Sequence, residues 1–553
     1  MIDKIWLSEY PPGVPALLEL DPLLSVVDIA DKACGRFASR PAYSNLGQTI
    51  SYATFDDLNR RFATWLQSLP GVGPGDRVAI MLPNLIQYPV ALFGIWRAGM
   101  VVVNVNPMYT APELEHQLND SGAKVLIVLA QRAGAFAAIQ DRTGVQHVLV
   151  TGIGDLLGVL RGPLVNLTMR YVRRMPTPSV PGAVGWSAVM DREVAAFRPP
   201  SPPTGSDLAC LQYTGGTTGR SRGAMLTHAN LCANVRQINA WFSGLTSPGE
   251  EIMITPLPLY HVYALMCNCL CYVDTGGHNV LITDPRDIKG LIAELRRWKF
   301  TAITGVNTLY QALVNHPDIT TVDFSSLKLT SAGGMAVMPA TAKRWMEITG
   351  IMIHEGYGLS ETSPVVTSNP ITLKEYNGSI GVPLPNTLVS LRNDDGAEVS
   401  LDQPGELCVQ GPQLMLGYWN DSAATASAMT SDGFFRTGDI AVEDARGYFR
   451  IVDRKKDMID VSGLKVYPNE IESAITHHPA VLEAACIGVH DDRTGEAVKL
   501  FLVLKPGEGL TLDEVRTFLR NYLAPYKIPR QVEFRDSLPK SNVGKILRRE
   551  LRA

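Results

Sequence analysis

This chain has no disulfide framework, no signal segment, no membrane-length apolar run and no excess of basic charge. Eight cysteines in 553 residues are too few to staple a secreted scaffold. Cys267, Cys269 and Cys271 crowd the apolar run from Val262 to Val273. They form no CxxC pair and have no partner pair at zinc spacing. They read as small apolar residues of a buried element, and reduced thiols with a cytoplasmic address are the expectation. The opening from Met1 to Pro15 carries Asp3, Glu9 and three prolines ahead of any apolar core, unlike a signal peptide. The longest apolar stretch, Val78 to Val105, is broken by Pro83, Asn84, Pro89 and Arg97, so it reads as strand, loop, helix and strand instead of a span. A net charge of −4, with no zinc-finger or basic-helix pattern, argues against a nucleic-acid partner.

What is present is ordinary for a folded enzyme: 46% hydrophobic and 19% charged residues. The length exceeds what one core supports, so at least two domains are expected. From Asp76 the text runs DRVAIMLPN, LIQYPVALFGIWRAGM, VVVNVNP, a β-rich run, a helical-period run and a second β-branched run. KVLIVLA (124–130), HVLVTG (147–152) and NVLITD (279–284) repeat that grammar. The predicted fold class is α/β, a large N-terminal α/β domain with mixed sheets and a small C-terminal α+β domain. Linkers are expected at 175–185 and at 199–203 (PPSPP). Charge concentrates in YFRIVDRKKDMI near Asp453, which sets the predicted domains at 1–454 and 455–553. Between Gly154 and Arg174, leucines, valines and Met169 mingle with Arg161, Arg170, Arg173 and Arg174, and no acid follows Asp155. That segment reads either as a basic amphipathic patch for an anionic lipid surface or as a surface helix packed on the protein by its apolar face. Pro163 is expected to interrupt a continuous helix there.

Four segments carry chemistry. Residues 213–223, YTGGTTGRSRG, follow an apolar run with four glycines, three threonines and two arginines. Glycines free backbone N–H groups to converge, and hydroxyls and guanidiniums add donors, which suits a polyphosphate. The spacing is not GxxxxGK[ST], so this is not the Walker-type loop. In HEGYGLSET (354–362), glycines flank Tyr357 so that it can lie against a flat ring. Glu361 beside Ser360 could hold magnesium, or the segment is a polar loop. In Thr437-Gly438-Asp439 the acid could accept from a ribose diol, or it is a turn aspartate. In LPKSNVGKILRR (538–549), Lys545 could reach a distant cleft and offset phosphate charge, or it belongs to a solvated basic tail.

In order and wording these segments closely resemble the adenylate-forming superfamily of acyl-CoA synthetases, luciferases and peptide-synthetase adenylation domains. Bacterial long-chain fatty acyl-CoA ligases are the nearest likeness. The supporting stretches include LPLYHVYAL (257–265), SAGGM (331–335), GELCVQGPQLMLGYW (405–419), RTGDI (436–440), RIVDRKKDMIDVSG (450–463) and VYPNEIE (466–472). They span most of the chain.

The resemblance implies ATP-dependent ligation of a long-chain fatty acid to coenzyme A through an acyl adenylate, with Mg²⁺ as cofactor. It implies that Thr214, Gly215, Gly216, Thr217, Thr218 and Gly219 bind phosphates. Glu361 and Thr218 would hold the metal, and Tyr357, between Gly356 and Gly358, would pack on adenine. Asp439 would take the ribose hydroxyls with Arg454 assisting. Gly333 and Gly334 would line the adenine and acyl pocket, and His261 would stand at the mouth of the carboxylate site. Lys545 would touch carboxylate and α-phosphate, Lys456 would be the hinge of a rotating small domain, and Ser462 and Gly463 would line the CoA channel. Two departures stand out. Arg222 replaces the usual lysine near the end of the phosphate loop, a planar fork for a compact ammonium, and Ser360 replaces the usual threonine. Lys545, Glu361 and Asp439 together argue against a lipid carrier without turnover. The eight residues after Lys545 suggest no carrier domain. The motifs alone do not separate the chain from a luciferase-type oxygenase, but the close likeness to bacterial fatty acyl ligases argues against that reading. The sequence leaves the oligomeric state open, a homodimer being one reading, and it leaves peripheral contact with the inner face of a membrane as an expectation.

Overall fold

The computed structural model describes residues 4–173, 175, 178–214, 221–462, 464–491, 493–541 and 546–552. The βαβ unit read from residue 76 onward forms as expected. Strands Arg77–Met81 and Val101–Asn104 pair in parallel, with the helix Gln87–Arg97 between them in sequence. Pro89 is tolerated because it falls in the first helical turn, where backbone N–H groups have no intrahelical partner. This helix is buried along its whole length. At Gly94 it presses so closely on the helix Tyr52–Gln67 that an added Cβ would lie 2.8 Å from the Phe62 side chain.

These strands belong to a seven-stranded sheet in the order Val184–Gly185, His147–Thr151, Ala123–Leu129, Arg77–Met81, Val101–Asn104, Leu208–Thr214, Arg222–Thr227. All neighbours are parallel except the last pair. Both faces are covered. Val78 and Ile80 join the main core, while Ala79 and Met81 join a second cluster on the opposite side, the expected result of period-two alternation in a sheet buried on both sides. A nine-stranded sheet runs from Val382–Pro383 at one edge to Gln48–Ser51 at the other, with Leu329–Ala332 and Ile353–Gly358 adjacent and parallel near its middle. Strands Leu388–Arg392, Gly405–Gln410, Phe435–Glu443 and Phe449–Arg454 make an antiparallel sheet of four.

Beyond Arg454 the sheet partners change. Five strands between Ile459 and Phe534 pair only among themselves, and their side chains fill two separate clusters on the two sheet faces, Cys486 and Leu500 on one, Ile487 and Phe501 on the other. All eight cysteines are free, and Cys269 and Cys271 are buried in the helical stretch from Val262 to Thr275. Among the described residues no helix is long and apolar enough to cross a membrane. One expectation is corrected. Pro163 does not interrupt the segment after Gly154, because it lies in the first turn of the helix Arg161–Leu167, which continues as a wider turn over Thr168–Val172.

Candidate active site

The antiparallel pair Leu208–Thr214 and Arg222–Thr227 is a hairpin whose last register pair is Thr214 with Arg222, so the glycine-rich loop springs from its tip. Gly215, Gly216, Thr217, Thr218 and Gly219 lie outside the described residues, as do Gly463 and Lys545. Thr214 and Arg222 both border one large cleft of about 2590 Å³. Ser541 and Ile546, on either side of residues 542–545, border the same cleft.

Strand pairing assembles the nucleotide-facing residues. In the four-stranded sheet Asp439 stands opposite Arg454, and its carboxylate meets the Arg454 Nε at 3.0 Å. The Tyr357 hydroxyl donates to the other Asp439 oxygen at 2.6 Å. Asp439 is 3% exposed, so this acid has traded water for a guanidinium and a phenol. Burial, reinforced by the Asp439 charge, pushes the Tyr357 phenol well above its ordinary range, which keeps it a donor. Gly358 is tight for a reason the sequence did not suggest. A Cβ there would sit 1.9 Å from the Pro364 carbonyl oxygen, whereas one on Gly356 would meet the Thr367 carbonyl at 3.2 Å. The glycines therefore serve the backbone packing that carries Tyr357 and Glu361.

Glu361 and Ser360 lie in the short helical turn Ser360–Thr362. The Glu361 carboxylate is buried and accepts from the Tyr418 hydroxyl at 2.9 Å. Burial raises its pKa, partly opposed by the Tyr418 bond and by Arg454. Tyr418 was missed as a site residue although the quoted stretch 405–419 contains it. The backbone of 416–419 lies along strand Arg222–Thr227 (Met225 N to Gly417 O 2.9 Å, Trp419 N to Gly223 O 2.8 Å), which delivers the phenol to Glu361. Arg222 pairs with Asp421 at 3.1 Å and lies 5.7 Å over the Tyr418 ring. No signal in the sequence pointed to this three-residue chain.

Gly333 and Gly334 follow strand Leu329–Ala332, and Gly334 has a φ of +79°, a backbone state that favours glycine. A Cβ on Gly333 would lie 3.3 Å from both the Gly356 carbonyl and the Tyr263 ring. His261 caps the turn that follows it, its Nδ1 accepting from the Tyr263 N–H at 3.3 Å, and it borders the cleft beside Tyr263. Lys456 occupies the short helical turn Lys455–Asp457 and also borders the cleft. Ser462, at φ +56°, turns the hairpin between Ile459–Val461 and Leu464–Val466 and hydrogen-bonds to the Thr494 carbonyl at 2.8 Å. It does not border the cleft. Arg548, which the sequence offered as part of a basic tail, is instead partly buried among acids. It reaches Asp453 at 3.0 Å, Glu472 at 2.8 Å and Asp457 at 3.6 Å, and also donates to Asn469. Glu355, on the strand before Tyr357, is a buried acid that burial pushes up to about 7 and that accepts from the Val337 N–H at 2.7 Å.

Two family models match this chain, AMP-binding enzyme over residues 30–419 and AMP-binding enzyme C-terminal domain over residues 470–545. A long-chain-fatty-acid–CoA ligase of Escherichia coli O157:H7 is 51% identical over 552 residues, covering 99% of this chain and 98% of the relative. A feruloyl-CoA synthase of an Amycolatopsis species is 37% identical over 510 residues, covering 92% of this chain and 94% of the relative. Among solved structures, ATP-bound MatB from Rhodopseudomonas palustris superposes with a TM-score of 0.82 at 29% identity, covering 96% of this chain and 98% of its own.

Proposed function

This chain belongs to the AMP-binding enzyme family, and on that premise we propose that it joins a long-chain fatty acid to coenzyme A with ATP, through an acyl adenylate, releasing AMP and pyrophosphate. The observation that carries the reading is the convergence of Tyr357, Glu361, Asp439 and Arg454 on one cleft that the glycine-rich hairpin and the C-terminal tail both border. Likeness to a long-chain ligase at 51% identity across nearly the whole chain supports the substrate class. The cleft has apolar lining, which includes Phe242, Val262, Val306 and Val337, and this suits an acyl chain.

Residues 214–219 with Arg222 hold the phosphates, Tyr357 stacks on adenine, and Asp439, braced by Arg454, accepts from the ribose hydroxyls. A fatty carboxylate is ionised near neutral pH and needs no base. Its oxygen attacks the α-phosphorus, forming an O–P bond as the bond to the bridging oxygen breaks and pyrophosphate leaves. The protein's share is in-line placement and charge compensation. Lys545 supplies a cation at the carboxylate and α-phosphate, and His261 orients the carboxylate at the mouth of its site. In the second half the CoA thiol gives up its proton to solvent, its sulfur bonds to the acyl carbon as the acyl carbon–oxygen bond breaks, and AMP departs with the anhydride oxygen. Residues 455–553 form a mobile domain that pivots at Lys456 between the halves, bringing Ser462 and Gly463 to the pantetheine path.

Magnesium fits the donor set. Burial opposes the ionisation of Glu361, so a cation would stabilise its charged form, and this ion is commonly held by one or two carboxylates plus phosphate oxygens. Glu361 and the Thr218 hydroxyl would hold it, and when bound it would draw charge from the phosphate oxygens. The enzyme works in the cytoplasm, with peripheral contact to the inner face of the membrane.

Fatty-acid-dependent exchange of labelled pyrophosphate into ATP tests the first half, and absence of exchange ends the reading. Comparing octanoate, palmitate, oleate and ferulate tests the substrate class, since an optimum at octanoate or ferulate would sink the long-chain assignment.

A further inference from the structure

The segment after strand His147–Thr151 is anchored on one side and bare on the other. Its inner side is built to dock. Gly154 and Gly162 approach so closely that a Cβ on Gly154 would lie 2.2 Å from the Gly162 carbonyl oxygen. Asn166 accepts from the Gly154 N–H at 2.8 Å and donates to Asp155 at 2.8 Å. Val165 and Met169 pack on the main core. The helix is therefore held in place, and the apolar residues on its other side are not awaiting that core.

That other side is a stripe. Leu160, Leu164, Leu167 and Tyr171 are 88%, 62%, 55% and 63% exposed, at steps of four, three and four residues that place them along one helical face. Val159 and Val172, at 91% and 73%, extend it at both ends. Single exposed leucines need no explanation, but this run concentrates them on one short element. The flanking charge has one sign. Arg161, Arg170 and Arg173 are exposed, and no acid occurs from Leu156 to Arg173. The Arg170 guanidinium lies 5.4 Å over the Tyr171 ring, so a cation and an aromatic sit together at the end of the stripe, a pairing that suits a membrane interface.

We propose that this stripe, with its arginines, is an interfacial docking element for an anionic bilayer, from which the enzyme draws its long-chain acid. The proposal rests on the reading of the substrate and of peripheral contact given above, and it assigns that contact to one element. Charge complementarity selects the occupant. A second copy would bring arginines against arginines. An acidic protein groove would satisfy the charge but not a continuous leucine face, whereas a bilayer accepts the leucines below the headgroups and the arginines among them.

The test uses the full chain and vesicles of phosphatidylcholine, alone or with about one third phosphatidylglycerol. Wild type should sediment with the anionic vesicles and release in high salt. The variant L160E/L164E/L167E should bind about tenfold more weakly or not at all. R170E/R173E, which leaves the leucines in place and covers the case where the leucine variant fails to fold, should lose about tenfold on anionic vesicles only. Both variants should keep wild-type pyrophosphate exchange with dissolved fatty acid. Unchanged vesicle binding by both variants overturns the assignment of the element while leaving membrane contact standing. No binding by wild type overturns docking altogether, as does a dimer in solution that the leucine variant dissociates. Loss of exchange in wild type would instead end the ligase reading, independently of the vesicle arm.

Discussion

Replacing Asp439 by asparagine isolates the charge that the nucleotide reading needs. Asparagine has nearly the same shape, so the Tyr357 hydroxyl, now 2.6 Å from a carboxylate oxygen, can still donate to the amide oxygen. What disappears is the negative charge facing Arg454 at 3.0 Å and, with it, the charge-assisted bonds to the ribose that the proposed function assigns to this acid. The Arg454 side chain is 34% exposed, so water takes over part of the pairing and the stability loss should be held to about 1 kcal/mol. Hydrogen bonds to a charged group contribute about 1.5–3 kcal/mol, so ATP binding should weaken by roughly 10- to 150-fold. The assay is pyrophosphate exchange with ATP titrated at saturating fatty acid, then the reverse, together with a thermal melt. An ATP KM within a factor of about two of wild type would refute the assignment, and so would an equal rise in the fatty-acid KM, since the lost charge is proposed to bind the nucleotide alone. Asp439→Ala should be worse, because it also strands the partly buried Tyr357 hydroxyl at a further cost of about 1 kcal/mol.

Lys545→Ala should abolish exchange yet spare thioester formation from supplied acyl adenylate, and equal loss of both halves would contradict domain rotation. Tyr418→Phe keeps the ring beneath Arg222 but removes the bond to Glu361. It should cut kcat/KM for ATP about tenfold or more with little change in Tm, and unchanged kinetics at all magnesium concentrations would remove Tyr418 from the site. Gly358→Ala must displace the Pro364 carbonyl or the strand itself, so it should destabilise by about 2 kcal/mol or more; a wild-type melt would show that the backbone yields there. Burial lowers the His278 pKa to about 4, and the ring bonds to Ser44 at 2.8 Å. The unfolded chain takes up this proton near pH 6.5 and the folded one does not, so stability present above that pH is lost as pH falls toward 4, by about 2 kcal/mol at pH 5. His278→Asn should flatten the pH dependence of unfolding by that amount, and identical slopes for wild type and variant would refute the buried neutral ring.

Tyr418 and Arg548 share a physical lesson. Each is ordinary in sequence, and each acquires its surroundings from a segment far away. Strand-like pairing of 416–419 along Arg222–Thr227 sets the Tyr418 phenol on Glu361. Arg548 becomes a partly buried, enclosed cation because Asp453, Asp457 and Glu472 surround its guanidinium. A charge so placed is costly to leave unpaired, and no local pattern announces it.

The sequence by itself determined the strand and helix grammar, because period and turn chemistry are local. It also determined the family, because ordered wording across most of the chain matched one, and it offered the candidate site residues. It placed the βαβ unit at residues 76–105, Tyr357 between its glycines, and Asp439 after Gly438. The tertiary structure alone decided which residues face one another. It set Asp439 opposite Arg454 by register, Tyr357 on Asp439, and strand Pro41–Asn45 beside His278–Leu281. It also decided that the basic segment after Gly154 carries apolar residues on two sides, docked by Val165 and Met169 and bare along Leu160, Leu164 and Leu167. Such pairings come from packing a whole core and closing long loops around it. The free energy that selects them is therefore spread over residues hundreds of positions apart, where no window of sequence can read it.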